Sequence, residues 1–269
     1  MRLIAGLLAT LLGGCAVTPP PRPPGPPDMT LAQVLAAVRQ APAIRTLPPD
    51  LTPSLSTAAR DVGFDSDRCE AGPDADTIDP CVFGDRAGAT DVILWGDSRA
   101  GTWLPAMREI ALRRHWRLQF FGKPGCPAAH PRPAVGPCDR FRAYVIERIR
   151  AVRPELLVMS NVPDARLSWG PAQRQVVLGD IPVLAESGPS CLVRHARNVP
   201  ACFTTRRAAT GGHRAGNSIP VSPWLCSAVC TPVIGNVLVY RNRFQLTATY
   251  ARMLSGVLSD ALDLPAPAG

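Results

Sequence analysis

The sequence predicts an α/β fold: about five mostly parallel strands, helices on both faces of the sheet, and disulfide staples. Three observations point there. From Asp91 onward, short runs rich in Val, Ile and Leu alternate with amphipathic stretches of helical spacing, the pattern of strands buried on both faces. The composition, 46% apolar and 19% charged over 269 residues, suffices for a core of ordinary density. Eight of the nine cysteines fall into four close neighbours along the chain, as in exported domains held by disulfides.

The elements follow in order. "MRLIAGLLATLLGGC" carries one basic residue and an apolar run from Leu3 to Leu12, then small residues and Cys15. The run is too short to span a bilayer and has the layout of a secretory signal. Residues 1–14 are therefore expected to be a signal peptide. "AVTPPPRPPGPPD" cannot form a helix, because proline fixes φ and lacks a donor. Residues 15–28 are expected to form an extended tether, roughly 40 Å at about 3.1 Å per residue.

Residues 29–90 read as a helix, Met29–Ala41 with Asp28 or Thr30 as N-cap, followed by an irregular extension. Residues 91–269 carry the main pattern. Five strands are expected, in "DVILWGDS", "WRLQFF", "PELLVMS", "RQVVLGDIPVL" and "NVLVY". Helices are expected in "AGTWLPAMREIALRRH", "DRFRAYVIERIRAV" and, closing the chain, "LTATYARMLSGVLSDAL". One joint is irregular: a parallel crossover usually contains a helix, but "NVPDARLSWGPAQR" has two prolines and no helical period.

Charge and cysteines narrow the classes. The net charge is +8, and Lys123 is the one lysine among 29 basic residues. The arginines are scattered, with no zinc-finger, helix-turn-helix or stacking-aromatic pattern, which argues against nucleic acid. Setting Cys15 aside, the expected pairs are Cys69–Cys81, Cys126–Cys138, Cys191–Cys202 and Cys226–Cys230, each contributing at most about 3 kcal/mol. The rival for Cys226 and Cys230, a metal site with His213, lacks a second close pair of ligands. No metal and no cofactor is expected.

In "LWGDSRAGTW", Ser98 lies where a strand ends and a helix begins. Free N–H groups and the helix dipole there stabilise a developing anion, and Gly96 permits the turn. Read alone, Asp97-Ser98 is equally a plain helix cap. The context is wider. "VILWGDSRAGTWLPAM", "FFGKPGCPAA", "VVLGDIP", "CLVRHARNVPAC", "SPWLCSAVC" and "GNVLVYRNRFQLTATYARML" together resemble the SGNH hydrolase superfamily. They resemble in particular the SGNH-like domains attached to membrane acyltransferases that O-acylate bacterial envelope glycans, in their actinobacterial versions. The resemblance runs from Asp91 to about Leu262. It implies a three-layer α/β/α, flavodoxin-like sandwich. The Leu-Gly-Gly-Cys ending of the signal resembles a bacterial lipobox, which would make Cys15 a lipidated first residue. A lipoprotein-like signal then stands where the membrane acyltransferase would be.

The resemblance also implies roles. Ser98 holds the nucleophile position, and its N–H, Gly125 and Asn161 would form the oxyanion hole. The family's Asp-x-x-His, the orienting carboxylate and the base, falls on Asn242 and Gln245. Arg99 stands where the family often has histidine. A neutral amide cannot take the serine proton, and losing the base from such a system costs on the order of 10⁴ to 10⁶ in turnover. His115, His130, His195 and His213 are the other histidines, each read as a solvated loop or helix-end residue. Trp95, Trp103, Trp116, Trp169 and Trp224 read as core, with Trp224 also a possible sugar platform, and Asp97 as the organiser of the turn.

The reading is an exported lipoprotein with an impaired SGNH-like site, a pseudoenzyme that binds envelope glycan or a membrane acyltransferase. The alternative is an esterase or O-acetyltransferase that uses Ser98 with a base outside the usual relay. A remnant that folds poorly is a third reading.

Overall fold

The computed structural model describes residues 28–128, 136–161, 174–206 and 218–262. The signal, Cys15, the tether, His130, His213, Trp169 and the irregular crossover lie outside the described residues.

The strands are β1 (Cys81–Gly84), β2 (Thr90–Gly96), β3 (Trp116–Gly122), β4 (Leu156–Ser160), β5 (Arg174–Leu178), β6 (Thr204–Thr205), β7 (Ser218–Ile219), β8 (Val229–Cys230), β9 (Val233–Ile234) and β10 (Val237–Leu238). The helices are α1 (Leu31–Gln40), α2 (Ser66–Cys69), α3 (Ser98–Arg113), α4 (Pro137–Val152), α5 (Gly188–Arg194), α6 (Ala248–Met253) and α7 (Ser255–Leu262). Six strands form one sheet in the order β1-β3-β2-β4-β5-β7. All neighbours in it are parallel except β1, which pairs antiparallel with β3.

Side-chain alternation explains the layers. On β2, Val92 and Leu94 enter one cluster with α3 residues Trp103, Leu104 and Met107, and with Tyr250 and Leu258 near the C-terminus. Ile93 and Trp95 enter another with Phe141, Val145 and Ile149 of α4. β4 divides the same way, Leu156 and Val158 against Leu157 and Met159. Each such fully buried side chain contributes about 1.5–3 kcal/mol, so the sheet is held from both faces as a three-layer α/β/α sandwich.

The ends follow local chemistry. Thr30, not Asp28, caps α1 in a capping box with Gln33. The closing helix is two, α6 capped by Thr247 and α7 beginning at Ser255. All four expected disulfides form: Cys69–Cys81, Cys126–Cys138, Cys191–Cys202 and Cys226–Cys230. The Cys226–Cys230 bond leaves neither sulfur for a metal.

Two expectations change. "NVLVY" does not enter the main sheet: β10 folds back on β9 across Gly235 and Asn236. Gly235 has φ +60, the left-handed conformation of a two-residue hairpin. The fifth parallel strand is the two-residue β7. The extension expected to be irregular also contributes α2 and the edge strand β1. Among the described residues, no helix is long and apolar enough to cross a membrane.

Candidate active site

β2 pairs with β3 on one side and β4 on the other, with Gly96 opposite Gly122 and Ser160. Chain order reverses at this point, and in open α/β sheets it is beyond the carboxyl ends of the strands at such a reversal that ligands bind. Ser98, Gly125 and Asn161 follow the ends of these three adjacent strands. Gly96 is required: a β-carbon there would lie 2.0 Å from the Ser160 carbonyl oxygen.

Ser98 opens α3, and buried Asp97 is its N-cap, accepting the Arg99 N–H at 2.8 Å. Ser98 is half-buried. Lys123 N–H donates to the Gly96 carbonyl and Cys126 N–H to the Lys123 carbonyl, forming the turn that carries Gly125. Gly125 has φ +75 and a position open to solvent. Asn161 Oδ1 accepts the Ala128 N–H at 2.7 Å. Its Nδ2 is buried with no hydrogen-bond partner among the described residues, an unpaired donor of the kind that calls for an explanation.

The 242–245 loop is closed by its own amides. Asn242 Oδ1 accepts from the Phe244 and Gln245 N–H groups, and Asn242 Nδ2 donates to Gln245 Oε1 at 2.6 Å. The pair keeps the geometry of a side chain reaching its neighbour three residues on, without an ionisable group. Gln245 Oε1 is occupied, and its remaining amide hydrogens can only donate.

Arg99 docks this loop. Its guanidinium is buried, donates to the carbonyls of Ile181 (3.0 Å) and Phe244 (2.6 Å), and lies 3.4 Å from Asp180. It also lies under the Phe244 ring. Arg99 therefore holds the loop after β5 and the 242–245 loop on the first turn of α3. It is a positioning residue, not a base.

Sequence reasoning missed Glu70. It follows Cys69, bridges to Gly122, and its Oε1 lies 2.6 Å from where a β-carbon on Gly101 would be. Burial raises its pKa to about 7; nearby Arg241 opposes the shift and Asp97 adds to it. Arg241 is itself lowered by burial, offset by Glu70 and Asp61. The signal available in the sequence was slight, a carboxylate next to a disulfide cysteine.

Among the described residues, neither histidine supplies a replacement. His115 is 80% exposed, beside Asp85, and His195 ends α5. Trp95, Trp103 and Trp224 are buried in the core, so Trp224 is no sugar platform. Among the described residues, no cluster of His, Cys, Asp or Glu could hold a metal ion.

Comparison with known proteins agrees with this fold. The periplasmic domain of a lipopolysaccharide acetyltransferase from Salmonella ser. Paratyphi A superposes with a TM-score of 0.53 at 10% identity, over 79% of this chain and 98% of that one. At that identity the likeness is one of fold. No curated protein sequence is similar enough to be matched. The family described as the SGNH domain fused to AT3 domains matches residues 68–260, a span that contains Ser98, Gly125, Asn161, Asn242 and Gln245, and the chain belongs to it.

Proposed function

We propose that this chain is an exported, lipid-tethered SGNH-type protein that engages O-acyl groups of cell-envelope glycans in the Ser98 crevice, with its proton relay impaired. One observation carries the reading: Asn242 and Gln245, to which the family resemblance would assign the relay, form a closed amide pair. An anion-binding side is supported by Ser98 at the head of α3, the Gly125 turn and the unpaired Asn161 amide. A scaffold that keeps the anion-binding half and loses the proton-handling half binds acyl esters and turns them over slowly.

Export is supported by the signal-like residues 1–14, the four disulfides, and the family's link to envelope acyltransferases. Cys15 and the proline-rich residues 15–28 would supply the anchor and tether.

The test is binding of an O-acetylated envelope glycan against its de-acetylated form, using the oxidised protein. Acetyl-dependent binding that weakens in Asn161→Ala is expected. Equal binding of the two forms would remove the acyl group from the reading.

A further inference from the structure

We propose, resting on the reading of Ser98 as the nucleophile, that Glu70 is the proton acceptor that stands in for the missing histidine, taking the Ser98 hydroxyl proton across one water.

The placement comes first. Gly101 is one turn beyond Ser98 on α3, and residues three apart share a helix face. Glycine at 101 admits the Glu70 carboxylate where any side chain would collide with it. Glycine in a helix interior costs about 1 kcal/mol relative to alanine, and nothing else in the packing requires it beyond the ring of Phe64 nearby. Pro105, four residues on, has no N–H to bond the Gly101 carbonyl. That carbonyl therefore lacks its usual helical donor.

The placement is also rigid. On one side of Glu70, the Cys69–Cys81 disulfide ties the backbone to β1. Glu70 itself bridges to Gly122, and the Ala71 N–H donates to the Gly122 carbonyl at 2.8 Å. On the other side, the buried Lys123 ammonium donates to the carbonyls of Gly72, Pro73 and Ala75. Gly122 and Lys123 lead directly into the Gly125 turn, so one strand end carries both the oxyanion donor and the anchor of Glu70. Among the described residues the Glu70 carboxylate makes no hydrogen bond or close salt bridge, and Arg241 acts on it from longer range.

The charged groups facing Glu70 are Asp97 at the head of α3 and Arg241 from the strand-like segment before Asn242, with Asp61 beside Arg241. Burial and Asp97 raise the proton affinity of Glu70, and Arg241 limits the rise. A carboxylate so balanced works as a base near neutral pH, where an ordinary one is too weak.

The step balances as follows. The Ser98 proton passes to the bridging water while that water's proton passes to Glu70, and Ser98 Oγ bonds to the acyl carbon. The carbonyl oxygen becomes the oxyanion, facing the Ser98 and Gly125 N–H groups and Asn161 Nδ2. When the ester C–O bond breaks, protonated Glu70 returns a proton to the leaving alkoxide. A second hydroxyl, from water or a sugar, enters by the same route and frees Ser98.

The test is p-nitrophenyl acetate hydrolysis by the oxidised full chain between pH 5 and 9. The expected wild-type rate is slow, abolished in Ser98→Ala, and rises through pH about 7. Glu70→Gln is expected to lose on the order of 10²-fold together with that rise, and Glu70→Asp to keep the rise. In the Asn242→Asp/Gln245→His background, Glu70→Gln should cost far less, because a histidine then takes the proton. An equal loss in both backgrounds would make Glu70 merely structural and overturn the proposal. So would a Glu70→Gln variant with wild-type rate and profile, the dependence on Ser98 surviving. Wild type equal to Ser98→Ala at every pH would instead overturn the reading of Ser98 and this proposal with it.

Discussion

Replacing Glu70 by glutamine should stabilise the fold at alkaline pH and leave it unchanged in acid. In the folded chain the Glu70 pKa is raised from 4.5 to about 7. Between those values the folded state binds more proton at this site than the unfolded state, so its contribution to stability falls as pH rises through the window. Below pH 4.5 both states are protonated and the contribution is complete. Above about 7 both are ionised, and the folded state carries the cost of a partly buried carboxylate. The shift caps that cost at about 3 kcal/mol, and partial exposure reduces the expected figure to about 1–2 kcal/mol. Glutamine is neutral throughout. Urea unfolding of the oxidised domain at pH 4.5 and pH 8 isolates the effect, since every other group is common to both proteins. Glu70→Gln should be more stable than wild type by about 1–2 kcal/mol at pH 8 and equal to it at pH 4.5. A difference that does not change with pH, or a variant weaker at pH 8, would refute the burial argument.

Gly101→Ala should leave stability within about 1 kcal/mol of wild type, since alanine's helix preference offsets the crowding. Its β-carbon displaces the Glu70 carboxylate, so Ser98-dependent ester hydrolysis should fall about tenfold or more. A full-rate Gly101→Ala protein would separate Glu70 from the chemistry. Arg99→Leu removes a buried guanidinium from two carbonyls and from Asp180, and should cost about 3–5 kcal/mol in urea unfolding. Backbone amides of residues 242–245 should exchange faster in that variant. A loss under about 1 kcal/mol would mean the loop is held by other contacts.

Much of this was legible in the sequence. β2, β3 and β4 announce themselves as apolar runs, and Gly96-Asp97-Ser98 marks where the first of them turns into α3. The cysteines pair with close neighbours because short loops bring them together without tertiary help. β7 was not legible: two residues carry no period, and only the neighbouring strand β5 makes Ser218 and Ile219 a strand. "NVLVY" has the composition of a sheet strand, but the Gly235-Asn236 turn at its start directs a local hairpin, a turn signal that outweighs the apolar run. Arg99 reads as a departure from a motif, and its role appears only when Ile181 and Phe244, far along the chain, fold over it. Glu70 was hidden for the same reason. Its carboxylate meets α3 through a disulfide and a bridge to Gly122, contacts that no local pattern encodes.

The central claim is that the Ser98 crevice persists while its relay does not. The most direct test compares acyl-ester turnover of wild type, Ser98→Ala and the double variant Asn242→Asp/Gln245→His. The 242–245 loop already donates two backbone N–H groups to the Asn242 oxygen, so an aspartate fits there without rearrangement. The account expects slow, Ser98-dependent turnover in wild type and a gain on the order of 10²-fold or more in the double variant. A double variant no faster than wild type, with its fold intact, would contradict it.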